Sequence, residues 1–157
     1  MLTCGLKLTH DGGVALLEDN RLVFSIEMEK LDSAQRHAKL DDFKTAFDLI
    51  EQHGYDPKAV DSYVIDGWRK TEKTRLFHGQ EVTFQLAPYR LGFMGSDPLQ
   101  CYTGQIHDFA FESYHHYTTH AVGSYCTSPF SGSPCWALVW DGAMFPCPSS
   151  NDLEQPR

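Results

Sequence analysis

Two histidines four residues apart, His116 and His120, form the strongest chemical signal in the sequence. On a helix, side chains four residues apart lie on one face, so two imidazoles can reach the same metal ion. A half-buried or surface pair without a metal is the alternative, because this spacing also arises by chance. We therefore treat the pair as a candidate metal site.

A third candidate ligand is Asp141, which is followed by Gly142 and ends the apolar run 137–140. A carboxylate at the end of a strand can reach an ion at the sheet edge, whereas Asp-Gly alone is also a common turn signal. Imidazole and carboxylate ligands without cysteine suit iron(II), manganese or zinc with open positions for substrate oxygens.

A second candidate site is the turn that contains His10, Asp11, Gly12 and Gly13. Paired glycines let backbone amides approach an anion, and a histidine in such a loop can take a proton from a hydroxyl near neutral pH. A plain hairpin turn is the alternative. Further along, Arg36 could hold a phosphate or carbonyl oxygen with its guanidinium group, or could lie in a solvated connection.

Alternating apolar residues predict three consecutive antiparallel strands near residues 2–8, 14–17 and 22–26. Asp41 or Asp42 can cap the helix that follows, and 60–65 should form a strand parallel to the first. We expect a hairpin insertion that includes 81–86, a solvated charged stretch at 69–75, a helix over 113–126 and a buried strand at 137–140. The tail 146–157 has the composition of disordered chain.

This β-β-β-α-β order is similar to the ribonuclease-H-like half-domain of the actin, sugar-kinase and heat-shock ATPase superfamily. The predicted fold class is therefore α/β, with a mixed sheet and flanking helices. One lobe should span residues 1–145, followed by the disordered tail.

The composition of the chain limits which kinds of partner it is expected to bind and in which cellular compartment it is expected to be found. The net charge of −8 over 157 residues argues against binding to nucleic acid or to an anionic membrane. We find no apolar run long enough to span a membrane and no signal peptide, so we expect a cytoplasmic protein. The five scattered cysteines are expected to be reduced and mostly in the core.

A set of short motifs follows one order along residues 2 to about 145, and no single motif in it is specific. Its members are His10-Asp11, Ala15-Leu16-Leu17-Glu18-Asp19-Asn20, Glu27-Met28-Glu29-Lys30, Arg36-His37, His115-His116, His120, Ser128-Pro129-Phe130 and the run 137–142. The ordered set resembles the O-carbamoyltransferases of the tobramycin and nodulation-factor type.

The resemblance implies that carbamoyl phosphate and ATP give carbamoyl adenylate, whose carbamoyl group passes to a substrate hydroxyl. It implies that His116, His120 and Asp141 hold a metal, iron(II) or another divalent ion. By the same resemblance His10 is the base and Arg36 takes the place of the family's usual lysine. The acceptor would be a small molecule such as a sugar, an aminoglycoside or a polyketide.

Members of this family carry a second half-domain and an adenylate-forming domain, which we do not find in these 157 residues. We therefore expect a truncated chain that is too short for activity alone. A complementing chain or a second copy would supply the missing part. A non-catalytic remnant or a metal-binding half-domain is the alternative. The related threonylcarbamoyl transfer to transfer RNA fits poorly, because the chain is acidic and has no basic patch.

Overall fold

A computed structural model describes residues 1–31, 36–89 and 97–139. It divides into two compact units, Met1–Thr119 and His120–Arg157. The first unit is built on a six-stranded mixed sheet with the order β3-β2-β1-β4-β8-β7. Its strands are β1 (Leu2–Lys7), β2 (Gly13–Glu18), β3 (Arg21–Glu27), β4 (Ser62–Asp66), β7 (Tyr102–Ile106) and β8 (Phe109–Tyr114). The prediction of a mixed α/β fold is confirmed.

The first three strands form the predicted antiparallel meander. Strand β1 pairs with β2, and β2 pairs with β3, both antiparallel. The residues of β1 and β2 alternate between buried and more exposed positions, because successive residues of a strand point to opposite faces of the sheet. Helix α1 (Met28–Leu31) follows β3 directly.

Helix α2 (Phe43–Gln52) forms the predicted crossover from the meander to β4. Asp42 caps it, and the side chain of Asp42 accepts a hydrogen bond from the backbone N–H of Lys44. The buried face of α2 packs against the sheet and joins one core cluster with it; its residues are Phe43, Ala46, Phe47, Leu49 and Ile50. After a 3-10 turn (Pro57–Ala59), β4 runs parallel to β1, as predicted.

The predicted hairpin insertion consists of β5 (Glu72–Phe77) and β6 (Gln80–Gln85), which form a separate two-stranded sheet. The expectation that 69–75 is a solvated stretch is wrong at its end. The guanidinium group of Arg75 donates to the carbonyl oxygens of Leu8 at 2.8 Å and Leu40 at 3.1 Å, so it ties the hairpin to the end of β1.

Two predictions near the C-terminal end need correction. Residues 113 and 114 complete β8, which pairs with β4 and β7, and helix α3 begins only afterwards (His116–Cys126). Residues 137–139 are not a buried strand, since they pair with no strand and Leu138 is exposed. The remainder of that run and the tail 146–157 lie outside the described residues.

None of the helices within the described ranges is both long and apolar enough to cross a membrane.

Candidate functional site

The site is organised by three strands that run in the same direction. Strand β1 is parallel to β4, and β4 is parallel to β8, so their carboxyl ends meet at one edge of the sheet. His10 lies just beyond β1, Asp66 is the last residue of β4, and His116 follows β8 as the first residue of α3. The carboxyl edge of parallel strands is where open α/β sheets bind ligands.

A bridging carboxylate organises the turn after β1. Nδ1 of His10 lies 2.8 Å from one carboxylate oxygen of Asp11, and Nδ1 of His37 lies 2.5 Å from the other. These hydrogen bonds, with the bond from His10 as the larger cause, hold the pKa of the Asp11 carboxyl below its usual range. Asp11 therefore remains ionised near neutral pH and can orient the imidazole of His10.

Gly12 fixes the turn against the segment that precedes α2. Its backbone N–H donates to the carbonyl oxygen of Ala38 at 2.8 Å. A Cβ atom built at Gly12 would overlap the backbone nitrogen of Leu40 and lie 2.8 Å from the carbonyl carbon of Lys39. Only glycine allows this close backbone approach without a shift of the chain.

Asp66 pairs with His116 at the centre of the edge. Its Oδ2 atom lies 2.7 Å from Nδ1 of His116, and its Oδ1 atom accepts a 3.0 Å hydrogen bond from Oγ1 of Thr119. The side chains of His116 and Asp66 are 4% and 14% exposed. A histidine held in this way by a buried carboxylate is the usual arrangement around catalytic or metal-ligating imidazoles.

The indole ring of Trp68 contacts both histidines. Its centroid is 5.0 Å from that of His10 and 5.1 Å from that of His116, with edge-to-face geometry in both pairs. Tyr89 stacks on His116 at 4.7 Å and meets Trp68 edge-on at 5.2 Å. The fold thus brings the histidine of the first turn and the first histidine of α3 into contact with one aromatic side chain.

Comparison with known proteins shows to which protein family the chain is related. The family model described as the N-terminus of carbamoyltransferases matches residues 2–152. This chain belongs to the carbamoyltransferase family. The resemblance inferred from the ordered motifs is therefore confirmed.

Named relatives of this carbamoyltransferase chain include nodulation protein U of Rhizobium tropici, which is 41% identical over 93% of the chain and 27% of the relative. Nodulation protein U of Sinorhizobium fredii is 37% identical over 93% and 28%. The 3'-hydroxymethylcephem-O-carbamoyltransferase of Streptomyces clavuligerus is 29% identical over 90% and 25%. The chain thus spans about a quarter of the length of these relatives. No solved structure matches it significantly.

The predicted site residues of this carbamoyltransferase chain fall into two groups. His10, Asp11 and Gly12 lie together in the turn after β1, and Gly13 begins β2 directly after them. Arg36 is exposed, but His37 beside it reaches Asp11, so the segment comes to the same turn. The base at His10, the oxygen contact of Arg36 and the ligand contacts of Asp11 and the glycines stay predictions.

His116 and His120 lie one turn apart on α3, as their spacing predicts; His116 is buried and His120 is exposed. Asp141 lies outside the described residues. The metal site therefore stays a prediction.

Sequence reasoning missed Asp66, Thr119 and Trp68. Asp66 carried a signal that could have revealed it, since it is a carboxylate directly after the apolar run 60–65, in the same kind of position as Asp141. Trp68 carried no such signal, because its contacts with two histidines depend on residues 58 and 48 positions away.

Proposed function

We propose that this chain forms part of an enzyme that transfers a carbamoyl group from carbamoyl adenylate to a hydroxyl of a small-molecule acceptor. Carbamoyl phosphate and ATP would supply the adenylate. The observation that carries the proposal is the contact of both His10 and His116 with the ring of Trp68, at one edge of the sheet.

His10 is the proposed general base. Because the carboxylate of Asp11 accepts a hydrogen bond from Nδ1 of His10, the neutral ring has its lone pair on Nε2. Nε2 would accept the proton of the acceptor hydroxyl as the oxygen attacks the carbamoyl carbon. The bond from that carbon to the phosphate oxygen then breaks, AMP leaves, and the acceptor oxygen carries the carbamoyl group.

The donor groups on α3 fit a divalent metal, and we propose iron(II). The contact between Nδ1 of His116 and the largely buried carboxylate of Asp66 supports this fit. Because the carboxylate occupies Nδ1, Nε2 would be the ligating atom. His116 and His120 would hold the ion, with Asp141 as a further ligand. When bound, such an ion neutralises negative charge on the phosphate of the leaving group.

The proposed fold class is the ribonuclease-H-like half-domain. Its support is the strand order β3-β2-β1-β4-β8, with three antiparallel strands, a crossover helix, and two further strands parallel to β1. In such a half-domain, ligands would bind at the carboxyl ends of β1 and β4. His10 and Asp66 lie at these ends.

The transfer step can be tested in a chimera with a defined acceptor. The chain replaces the matched segment of the Streptomyces clavuligerus relative, whose name gives 3'-hydroxymethylcephem as the acceptor. With ATP and labelled carbamoyl phosphate, we expect label in the cephem. His10→Gln should lower kcat about 100-fold or more, as expected for loss of a general base.

His53→Gln is the matched control, since His53 lies at the end of α2 and bonds the carbonyl oxygen of Leu49. It should leave kcat unchanged. Equal rates for the His10 and His53 variants, in chimeras with the same circular dichroism spectrum, would rule out His10 as the base.

The metal is tested on the chain itself. Manganese(II), or iron(II) without oxygen, should raise the melting temperature, because a ligand that binds only the folded state stabilises it. His116→Ala with His120→Ala should abolish the shift, while His53→Ala should retain it. Equal shifts for all three proteins would exclude the proposed ligands.

A second candidate function is a non-catalytic half-domain that binds metal or another chain. The observation in its favour is a set of exposed apolar side chains in the second unit, Phe130, Trp136 and Leu138. Exposed apolar groups of this kind favour association. Concentration-dependent self-association in sedimentation experiments would support it, and a monomer at all concentrations would argue against it.

A further inference from the structure

Asp66, which the sequence analysis did not single out, contacts the buried histidine His116. Asp66 and His116 are 50 residues apart in sequence and come from different elements, the end of β4 and the start of α3. Both side chains are largely buried, so their 2.7 Å contact is protected from competition by water. This contact is therefore a fixed feature of the site.

The direction of the hydrogen bond follows from the chemistry of the partners. An ionised carboxylate has no proton to donate, so Nδ1 of His116 must be the donor. In a neutral imidazole with the proton on Nδ1, the lone pair lies on Nε2. Asp66 thus selects one of the two tautomers of His116.

The second oxygen of the carboxylate is also held. Oγ1 of Thr119 lies 3.0 Å from Oδ1 of Asp66 and 2.7 Å from the carbonyl oxygen of His116, so the hydroxyl proton can serve either acceptor. The carboxylate is therefore contacted at both oxygens, once by an imidazole and once by a hydroxyl. Two contacts restrict the rotation of the carboxylate more than one does.

Aromatic rings restrict the imidazole itself. Tyr89 stacks on His116 with an angle of 19° between the ring planes, and Trp68 meets the same ring at 85°. The stacked and the perpendicular contact limit movement of the ring in different directions. Orientation and tautomer of His116 are thus determined by different neighbours.

We propose that Asp66 is a positioning residue that holds His116 in the Nδ1–H tautomer, with the Nε2 lone pair kept for a divalent metal ion. The part that concerns the metal rests on the proposed function. The part that concerns the tautomer rests only on the contacts within Met1–Thr119.

The tautomer is measured in the whole chain without metal, by long-range ¹H–¹⁵N correlation of the histidine rings at pH 8. His116→Gln assigns the signals of His116 among those of the eight histidines. We expect a proton on Nδ1 and none on Nε2. A proton on Nε2, alone or together with one on Nδ1, would overturn the proposal.

Asp66→Asn tests the role of the carboxylate with little change in shape. An amide can donate to Nδ1 as well as accept from it, so we expect the Nε2–H tautomer to become populated. We expect manganese(II) affinity to fall about 10- to 100-fold, as is typical when the carboxylate partner of a metal-bound histidine is lost. An unchanged tautomer in a folded Asp66→Asn protein would overturn the proposal.

Thr119→Val is the matched control, because it removes the second contact of the carboxylate but leaves the contact between Asp66 and His116. It should retain the Nδ1–H tautomer. Its affinity for manganese(II) should stay within about threefold of that of the original chain, a much smaller change than the loss expected for Asp66→Asn. If Asp66→Asn changes the tautomer but the original chain binds no metal, the proposed metal function fails and the positioning role of Asp66 stands.

Discussion

Nδ1 of His116 lies 2.7 Å from Oδ2 of Asp66, and this contact joins the carboxyl ends of two neighbouring parallel strands. Strand β4 ends at Asp66, and His116 begins the helix that follows β8. A carboxylate and an imidazole are thereby placed side by side at the carboxyl edge of the parallel strands.

Gly12→Ala should destabilise the first unit by about 1–3 kcal/mol, because the added methyl group meets the backbone of Lys39 and Leu40 rather than a movable side chain. Urea unfolding followed by circular dichroism measures the change. Gly123→Ala is the control, since Gly123 lies in α3 with open space around its Cα atom. This control should stabilise its helix by up to about 1 kcal/mol. Similar effects for both substitutions would contradict the close approach at Gly12.

Arg75→Met should lower the free energy of unfolding by about 2 kcal/mol. The substitution removes the hydrogen bonds of the guanidinium group to the carbonyl oxygens of Leu8 and Leu40 while keeping a long apolar side chain. Arg21→Met, at an exposed position on β3, should change stability by less than about 0.5 kcal/mol. Backbone amide hydrogen exchange should also become faster in the turn after β1. Unchanged exchange there would show that the hydrogen bonds of Arg75 do not hold this turn in place.

Lys73 should make stability rise with pH. Burial, with added repulsion from Arg75, Lys70 and Lys39, lowers the pKa of the Lys73 ammonium group from 10.5 to about 8 in the folded chain. Between these two values the unfolded chain binds more protons than the folded chain, so unfolding becomes less favourable as pH increases. Burying the charged form opposes folding below about pH 8, and this penalty disappears above about pH 10.5.

The measurement for Lys73 is urea unfolding from pH 7 to pH 10.5. Lys73→Met should be more stable than the original chain at pH 7, and this advantage should shrink as pH rises. Lys58→Met, at an exposed position, should follow the pH profile of the original chain. Parallel profiles for Lys73→Met and the original chain would show that the ammonium group is not destabilised by burial.

Cys4 should resist alkylation while the exposed cysteines react. Burial raises the pKa of the Cys4 thiol from 9.0 to about 12, which lowers its thiolate fraction about 1,000-fold at pH 8. Cys101, Cys126 and Cys135 are exposed. Mass spectrometry after iodoacetamide treatment should find these three modified and Cys4 modified only in urea. Early modification of Cys4 in the folded chain would contradict its burial in β1.

The exposed cysteines also correct the expectation that most thiols lie in the core. Of the four cysteines in the described ranges, only Cys4 is buried. Cys4 follows the alternating pattern of β1, so its burial was readable from its neighbours. Cys101 comes just before β7, outside any alternating pattern that would predict its burial.

Local sequence patterns were enough to predict the meander, the capped helix α2 and the parallel strand β4. These elements have local causes: alternation of apolar residues, turn residues such as Asp19 and Asn20, and a capping aspartate. The sequence also indicated the family, because the order of short motifs along a chain can be read without knowing where they lie in space.

Contacts between residues that are distant in sequence could not be predicted in this way, because they depend on how the elements pack. Strands β7 and β8 were not predicted. The residues of β8 alternate in burial as those of β1 do, so its sequence carried a readable signal. Strand β7 has few apolar residues and is defined by its pairing with β8. The contact of Asp66 with His116, and of Trp68 with both His10 and His116, depends on the parallel order of β1, β4 and β8. Sequence periodicity fixes which face of an element is apolar, whereas contacts between distant residues are fixed only when the elements pack.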